Sequence, residues 1–152
     1  MSTERTLVLI KPDAVQRGLA GAVLSRLESR GLKIVAMKMM LVSRDLASRH
    51  YAALQSRDFY DGLVSFITSS PVVAMVVEGP RAVEAVRNTM GVTDPLQAHP
   101  GTIRADFGVD IQHNLIHGSD SPESAATEIS LFFSPEEILS YERDVDKWII
   151  EF

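Results

Sequence analysis

The sequence has no cysteine among its 152 residues, which excludes disulfide bonds, thiol catalysis and thiolate metal sites. It also lacks a long apolar run, since the longest, 71–77, is far too short to span a bilayer as a helix. The first residues are polar and lead directly into a strand pattern, so we expect no secretory signal and a cytoplasmic protein. The net charge of −5 lacks the basic excess that binding to nucleic acids or membrane surfaces requires.

The common fingerprints of phosphate and metal sites are missing as well. Neither G-x-x-x-x-G-K-[ST] nor G-x-G-x-x-G occurs, and the four histidines lack the H-E-x-x-H spacing of zinc enzymes. His113 and His117 lie four positions apart, but in an extended segment that spacing does not direct both rings to one metal. We therefore predict no protein-bound metal ion.

The residues that are present describe a globular protein. Apolar residues make up 45% and charged residues 23% of a chain whose length fits one domain. Asp13 with Gln16, and Ser134 with Glu137, have the spacing of capping boxes that open helices. Apolar runs predict strands at 6–10, 32–41, 72–77 and 114–117, and helical periodicity predicts helices at 21–30, 43–51, 60–67, 80–90 and from 121 onward.

The order of these elements, without the additional helices, is β-α-β-β-α-β. This order predicts an α/β (α+β) fold of the ferredoxin-like type, with a four-stranded antiparallel sheet and helices on one face. The segment 91–112 shows no sustained periodicity and contains several prolines and glycines. We predict that it is a long functional loop.

One short run contains a candidate nucleophile, the sequence Asn-Leu-Ile-His-Gly-Ser-Asp-Ser at 114–121. His117 follows a strand and precedes Gly118, which predicts backbone freedom and an open approach on one side. A neutral imidazole can accept and release a phosphoryl group when a partner such as Glu128 or Ser119 holds its tautomer. Taken alone, the run fits better a histidine that merely closes the end of a sheet, since an isolated short motif is only a hypothesis.

Three distant runs accompany the histidine run. They are LIKPDAVQRGL at 9–19, RDFY at 57–60 and PLQAHPGTIRADF at 95–107. With these four runs the chain resembles the nucleoside diphosphate kinases over essentially its whole length. The resemblance implies one domain over residues 1–152.

The resemblance also implies an activity. A member of this family moves the terminal phosphate of ATP or another nucleoside triphosphate to a nucleoside diphosphate by a ping-pong mechanism, here through a phosphohistidine at His117. Mg²⁺ enters on the nucleotide phosphates. The other implied site residues are Lys11, Tyr51, Arg87, Thr93 and Arg104 around the phosphates, Asn114 with Lys11 at the sugar, Phe59 at the base, and Ser119 and Glu128 orienting the histidine.

The implied assembly is a homo-oligomer, a hexamer built from dimers, with a tetramer as the alternative. From the composition we expect neither a membrane nor a nucleic-acid partner. Four residues depart from the family pattern, namely Ala14, Asp58, His113 and Phe132, in place of glycine, proline, arginine and tryptophan respectively. None removes a catalytic group, but Asp58 adds negative charge near the expected entrance, so its effect on nucleotide affinity stays open.

Two other functions compete with this interpretation. A catalytically silent relative would be expected to lose His117, Lys11 or Asn114, all of which are present. A phosphocarrier that receives phosphate from a protein partner would leave Phe59 and the two arginines unexplained.

Overall fold

A four-stranded antiparallel sheet forms the centre of this computed structural model, which describes residues 3–151. The strands are β1 (Glu4–Ile10), β2 (Lys33–Met40), β3 (Val72–Gly79) and β4 (Ile116–Gly118). Their spatial order is β2-β3-β1-β4, and all three neighbouring pairs are antiparallel. The ferredoxin-like sheet predicted from the sequence is therefore confirmed.

Strand β1 explains the apolar run at 6–10, because both of its faces are covered. Leu7 and Leu9 pack into one apolar cluster, and Val8 and Ile10 pack into a second cluster on the opposite face. A central strand that is buried on both faces has no polar face to alternate with its apolar one. The sheet thus lies between two layers of helices.

The helices are α1 (Pro12–Gln16), α2 (Ala20–Ser29), α3 (Arg44–His50), α4 (Tyr60–Ile67), α5 (Ala82–Met90), α6 (Ile103–Phe107) and α7 (Pro122–Phe132). Both crossover helices, α2 and α5, contribute to the cluster around Val8, as the ferredoxin-like pattern predicts, while the additional helices α3, α4 and α7 cover the face that carries Leu7. None of the helices in residues 3–151 is long and apolar enough to cross a membrane.

Side-chain caps fix the helices that the sequence located best. The Ser43 hydroxyl accepts a hydrogen bond from the Leu46 amide at the start of α3, and Ser121 accepts one from Ser124 at the start of α7. The Ser134 capping box is present too, but it opens only a 3₁₀ turn, Pro135–Glu137.

The predicted capping box at Asp13 is wrong. Lys11 is the N-cap residue of α1, because Pro12 occupies the first helical position, where no amide hydrogen is needed. The Oδ2 atom of Asp13 instead accepts a hydrogen bond from the Leu115 amide at 3.0 Å. Asp13 therefore anchors the segment that leads to His117.

The last strand also differs from its prediction. It begins at Ile116, because Leu115 has a φ of 77° and cannot continue the sheet. The Lys11 amide donates to the Leu115 carbonyl at 2.9 Å, so the amide and the carbonyl of the fully buried Leu115 are both hydrogen-bonded. The strained backbone sits two residues before His117.

The segment 91–112 is not a featureless loop. It contains a 3₁₀ turn, Pro95–Gln97, and the helix α6, whose N-cap Thr102 accepts a hydrogen bond from the Ala105 amide. Five residues are too few to show helical periodicity, so the sequence pattern missed α6. Ile103 buries its side chain in the cluster around Val8, which joins this segment to the core.

Candidate active site

The predicted site residues gather around β4 and the segments that flank it. All of them except Tyr51 and Phe59 are linked by direct contacts, either to one another or through the backbone of 114–118. Tyr51 joins the group through His50, whose ring lies 4.7 Å from the Tyr51 ring and 4.8 Å from the His117 ring, centroid to centroid.

His117 occupies the middle of β4, opposite Leu9 of β1, and its side chain remains 25% exposed. Its Nε2 atom lies 2.8 Å from Oε1 of Glu128, which projects from the second turn of α7. The Ser119 hydroxyl donates to the same Oε1 at 2.7 Å and accepts from the Leu7 amide at 3.3 Å. Because Glu128 engages Nε2, Nδ1 is the ring nitrogen left for a ligand.

Glu128 is held in its charged form. Burial raises the pKa of its carboxyl, but the hydrogen bond and charge of His117 and the hydrogen bond of Ser119 outweigh burial, so the pKa lies below its ordinary value. A fixed carboxylate at this position favours a proton on Nε2 of His117 and stabilises positive charge on the ring.

Lys11 and Asn114 meet at the end of β1. The Nζ atom of Lys11 donates to Oδ1 of Asn114 at 2.6 Å, and Nδ2 of Asn114 donates to the Thr93 carbonyl at 3.0 Å. Lys11 and Asn114 are both buried, whereas Thr93 is exposed in the turn after α5. These contacts bring together three of the predicted residues from distant parts of the chain.

Arg104 is bound mainly to the backbone. Its guanidinium donates from Nε to the Asn114 carbonyl at 3.1 Å, from Nη1 to Gly91 at 3.0 Å and from Nη2 to Ile116 at 2.7 Å. Three of its five N–H groups are used in this way, so two remain for an anion. Arg104 therefore connects α6 and the end of α5 to the strand that carries His117.

Arg87 reaches the same strand from α5. Its Nη1 atom donates to the Gly118 carbonyl at 3.0 Å. A Cβ atom on Gly118 would lie 2.9 Å from both Met90 Sδ and Val86 Cγ1, and Gly118 does not have a positive φ. The prediction that Gly118 provides backbone freedom is wrong; it is small because α5 packs directly against it.

Tyr51 and Phe59 differ in their surroundings. Burial raises the pKa of Tyr51 to about 12, so its hydroxyl keeps its proton and can donate. Phe59 is the N-cap residue of α4 and is 45% exposed, with the Arg57 guanidinium 5.4 Å from its ring centre. Asp58 is exposed beside it.

Helix α4 joins Phe59 to the buried cations. Near its other end, the Phe66 ring lies 5.7 Å from Lys11 Nζ and 5.1 Å from the His113 ring. Seven residues of helix separate Phe59 from Phe66, a distance of about 10 Å along the axis. Helix α4 therefore carries the exposed Phe59 at its start and, through Phe66, contacts Lys11 near its other end.

The cations of the site repel one another. Burial, together with the charge of Arg104, lowers the pKa of Lys11 to about 8. Burial lowers the pKa of Arg104 to about 10, with a contribution from Arg87. A polyanion placed among these three side chains would offset both the burial of their charges and their mutual repulsion, so the electrostatics favour a phosphate ligand.

His50 is the residue that the sequence analysis missed. It lies in the last turn of α3, three positions after the buried Ala47 and hence on the inner face of that helix. This spacing was the sequence signal that could have placed His50 on the inner face of the helix. Among residues 3–151, His50 forms with His117 and Glu128 a group whose donor atoms all lie within 4.8 Å of one another.

Comparisons with known proteins agree on one family. A family model described as nucleoside diphosphate kinase matches residues 4–138. The nucleoside diphosphate kinase of Thermomicrobium roseum is 60% identical over 147 residues, which cover 97% of this chain and 99% of the relative. That of Archaeoglobus fulgidus is 56% identical over 148 residues, with coverage of 97% and 98%.

A solved structure gives the same answer. The halophilic nucleoside diphosphate kinase of Halobacterium salinarum, in complex with CDP, matches with a TM-score of 0.96 and 51% identity, and covers 99% of this chain and 100% of that one.

Proposed function

The chain belongs to the nucleoside diphosphate kinase family, and from this premise we propose a role for each residue of its site. The activity is transfer of the terminal phosphate of a nucleoside triphosphate to a nucleoside diphosphate, and the general mechanism of the family is ping-pong. Our proposal is that the phosphate travels on Nδ1 of His117. The observation that carries it is the contact of Nε2 with Glu128, which leaves Nδ1 as the nucleophile.

In the first half-reaction, the Nδ1 lone pair attacks the terminal phosphorus and the bond to the bridging oxygen breaks. The nucleoside diphosphate leaves, and the ring, with Nε2 still protonated, becomes positively charged. The Glu128 carboxylate stabilises this charge through the 2.8 Å contact, while Ser119 fixes the carboxylate oxygen. A second diphosphate then attacks the phosphohistidine and reverses these steps.

Lys11, Arg87 and Arg104 neutralise the phosphate oxygens. The transition state of phosphoryl transfer is loose, so a protein contributes mainly position and charge. The free N–H groups of Arg104 and the lowered pKa of Lys11 support this role. Thr93 and the protonated Tyr51 hydroxyl complete the predicted phosphate contacts.

Mg²⁺ belongs to the substrate in this proposal and arrives bound to the nucleotide phosphates. The charged groups proposed to surround the phosphates, Lys11, Arg87 and Arg104, are all cations, and they would repel a hard cation instead of binding it. In the described part of the chain, the one group of metal-binding donors near His117 contains two imidazoles, whereas Mg²⁺ prefers oxygen.

Asn114 and Lys11 are proposed to hold the sugar hydroxyls, and Phe59 the base. The exposed Phe59 ring offers a face on which any base can stack. The CDP complex of the Halobacterium salinarum relative supports a pyrimidine nucleotide among the ligands of this fold.

We also propose that residues 1–152 form one domain and that the protein is a cytoplasmic homo-oligomer, most simply a hexamer. Both apolar clusters pack on one sheet, which supports the single domain. The support for assembly is exposed apolar surface. Met37, Met39 and Leu41 lie along β2 and just beyond it, at the edge of the sheet, and Trp148 is exposed near the end of the chain.

Labelling with γ-labelled ATP tests the central proposal. The protein should acquire an acid-labile, alkali-stable phosphate, and two-substrate kinetics should be ping-pong. His117→Ala should lose both the label and the exchange, by more than about a thousandfold. His99→Ala, at an exposed histidine of the same chain, should retain both. Exchange by His117→Ala at a rate close to that of the unmodified protein would contradict the assignment.

A further inference from the structure

His50 has an environment that is unusual for a buried imidazole. Both of its ring nitrogens are buried, and neither has a hydrogen-bond partner within the described residues. Buried polar groups in native proteins are nearly always paired, so two unpaired nitrogens on one ring require an explanation. Burial and the nearby charges of His117 and Lys11, opposed by Glu128, lower the pKa of His50 to about 4, so the ring is neutral at physiological pH.

The surroundings hold this ring in place without using its nitrogens. Phe132 meets it edge to face at 5.3 Å, and Tyr51 contacts it at 4.7 Å. On the remaining side it meets the His117 ring at an interplanar angle of 83°. A neutral imidazole with a free lone pair is thereby fixed next to the proposed nucleophile.

His50, His117 and Glu128 together present two imidazole nitrogens and one carboxylate oxygen. One donor atom from each lies within 4.8 Å of the other two, and the His117 and Glu128 atoms are 2.8 Å apart. Around a tetrahedral zinc ion the donors lie roughly 3.4 Å apart. The His117–Glu128 separation is shorter than this and the largest separation in the group is longer, so metal binding requires the side chains to move by roughly 1 Å.

We propose that His50, His117 and Glu128 form a binding site for a divalent transition metal of the zinc type, and that occupation of this site blocks phosphoryl transfer. Two histidines and one carboxylate, with a fourth position open to water, are a common zinc ligand set. Mg²⁺ does not compete, because it prefers oxygen ligands in an octahedral arrangement. The substrate cation and the inhibitory cation are therefore different metals at different places.

The block follows from the position of one proton. In the free protein Nε2 of His117 carries the proton that faces Glu128, and Nδ1 carries the lone pair. A metal on Nε2 takes that nitrogen's lone pair, so the ring proton must reside on Nδ1 instead. No proton is gained or lost in this exchange of tautomers, but Nδ1 can no longer attack phosphorus. The Glu128 oxygen changes from a hydrogen-bond acceptor to a metal ligand.

Titration of the nucleotide-free protein with Zn²⁺, followed by calorimetry, tests the site without requiring turnover. Co²⁺ provides a second readout, because its visible absorption reports tetrahedral nitrogen and oxygen ligands. We expect one site per chain. Residues that only support a metal ligand typically contribute about 10–100-fold in affinity, so replacing the ligand itself, in His50→Phe and in the smaller change His50→Gln, should weaken binding by at least that much. Thermal unfolding in the absence of metal checks that both variants are folded.

A surface pair must be separated from this site. His113 Nδ1 lies 3.9 Å from Asp110 Oδ2, and both side chains are exposed, so His113→Gln is the matched control and should bind Zn²⁺ normally. Unchanged affinity in both folded His50 variants, or loss of binding only in His113→Gln, would overturn the proposal.

Inhibition is then measured at saturating Mg²⁺-nucleotide. Micromolar Zn²⁺ should stop labelling of His117, and a chelator should restore it. Binding that depends on His50 but leaves labelling untouched would refute the inhibitory part. A protein that never labels, yet binds Zn²⁺ through His50, would contradict the proposed function and leave the metal site standing.

Discussion

Nε2 of His117 and Oε1 of Glu128 lie 2.8 Å apart, and the Ser119 hydroxyl donates to that same oxygen at 2.7 Å. One carboxylate oxygen thus receives two hydrogen bonds, from His117 and from Ser119, which is fixed to the backbone of β1. In the proposed mechanism this arrangement selects the tautomer of His117 and supplies the charge that a phosphorylated ring requires.

Glu128→Gln should therefore slow the phosphorylation of His117 by about a hundredfold. The amide keeps the volume and one acceptor but cannot neutralise the charge that develops on the ring. Rapid-quench labelling in a single turnover measures this step directly. Glu123→Gln, on the exposed side of the same helix, is the control and should label at the normal rate. Normal labelling by Glu128→Gln would mean that the carboxylate has no part in the transfer.

The lowered pKa of Lys11 predicts an alkaline limit to activity. Its pKa falls from 10.5 to about 8, so the side chain loses its charge as the pH rises through about 8. The value of kcat/KM for a nucleoside diphosphate, which reports groups of the free enzyme, should fall over this range. Lys11→Arg should be less active but should lack this limb, because arginine stays protonated.

The lowered pKa of Lys11 affects the stability of the folded protein in the opposite direction. Between pH 8 and 10.5 the unfolded chain keeps a proton on Lys11 that the folded protein has lost, so the contribution of this residue to stability rises with pH. An alkaline limb that coincided with unfolding would therefore not come from Lys11. A pH profile with the same limb in the wild type and in Lys11→Arg would assign the limb to another group.

The sequence predicted the sheet, its antiparallel order and the helices α3, α4 and α7, because these depend on local signals. Ser43 and Ser121 cap helices with bonds that span only three residues. The site residues were assigned from a family resemblance carried by four runs, and in the structure all of them except Tyr51 and Phe59 are linked by direct contacts around β4. Their chemical roles are still predictions.

The errors concern contacts between distant parts of the chain. Asp13 has the spacing of a local cap, but its carboxylate is used 102 positions away, at Leu115. The size of Gly118 depends on α5, which no pattern around His117 reveals. His50 acquires its significance only when α3 packs beside β4, since nothing in its own neighbourhood connects it to His117.

Gly118→Ala should lower the free energy of unfolding by about 1–3 kcal/mol, because its Cβ would press on Met90 and Val86 in a filled core. Gly62→Ala is the control. Gly62 lies in α4 with nothing within 4 Å of an added Cβ, so this change should raise stability by about 0.4–1 kcal/mol. Urea denaturation compares the two. Equal stability of Gly118→Ala and the wild type would show that α5 can move away from the strand without cost.

The exposed edge of the sheet predicts assembly. Met37 and Met39 alternate along β2, and Leu41 continues the same face just after the strand. Light scattering should therefore give a multiple of the 16.7 kDa chain mass, six chains in the hexamer. Met39→Lys should reduce that mass, whereas Ala126→Lys on the exposed face of α7 should not. A wild-type protein at the mass of one chain would refute assembly, and four chains would refute only the hexamer.

The last prediction is that the enzyme tolerates any base but requires the sugar hydroxyl. Phe59 offers an aromatic face, and stacking contributes roughly 1–3 kcal/mol whichever base is bound. Strong discrimination would need buried donors and acceptors that a wrong base leaves unpaired, and the neighbouring Asp58 is exposed to solvent. Asn114 and Lys11, by contrast, are both buried, so a missing 3′-hydroxyl would leave polar groups without a partner.

Measuring kcat/KM for the diphosphates of A, G, C, U and T, and for a 3′-deoxy analogue, separates the two contributions. We expect the five bases to differ by less than the loss of the hydroxyl costs, and Phe59→Ala to weaken all five alike. A preference for one base above roughly a thousandfold, about 4 kcal/mol, exceeds what stacking differences supply. Such a preference would require a hydrogen-bonding base pocket, and Asp58, beside the stacking ring, would be the first residue to replace.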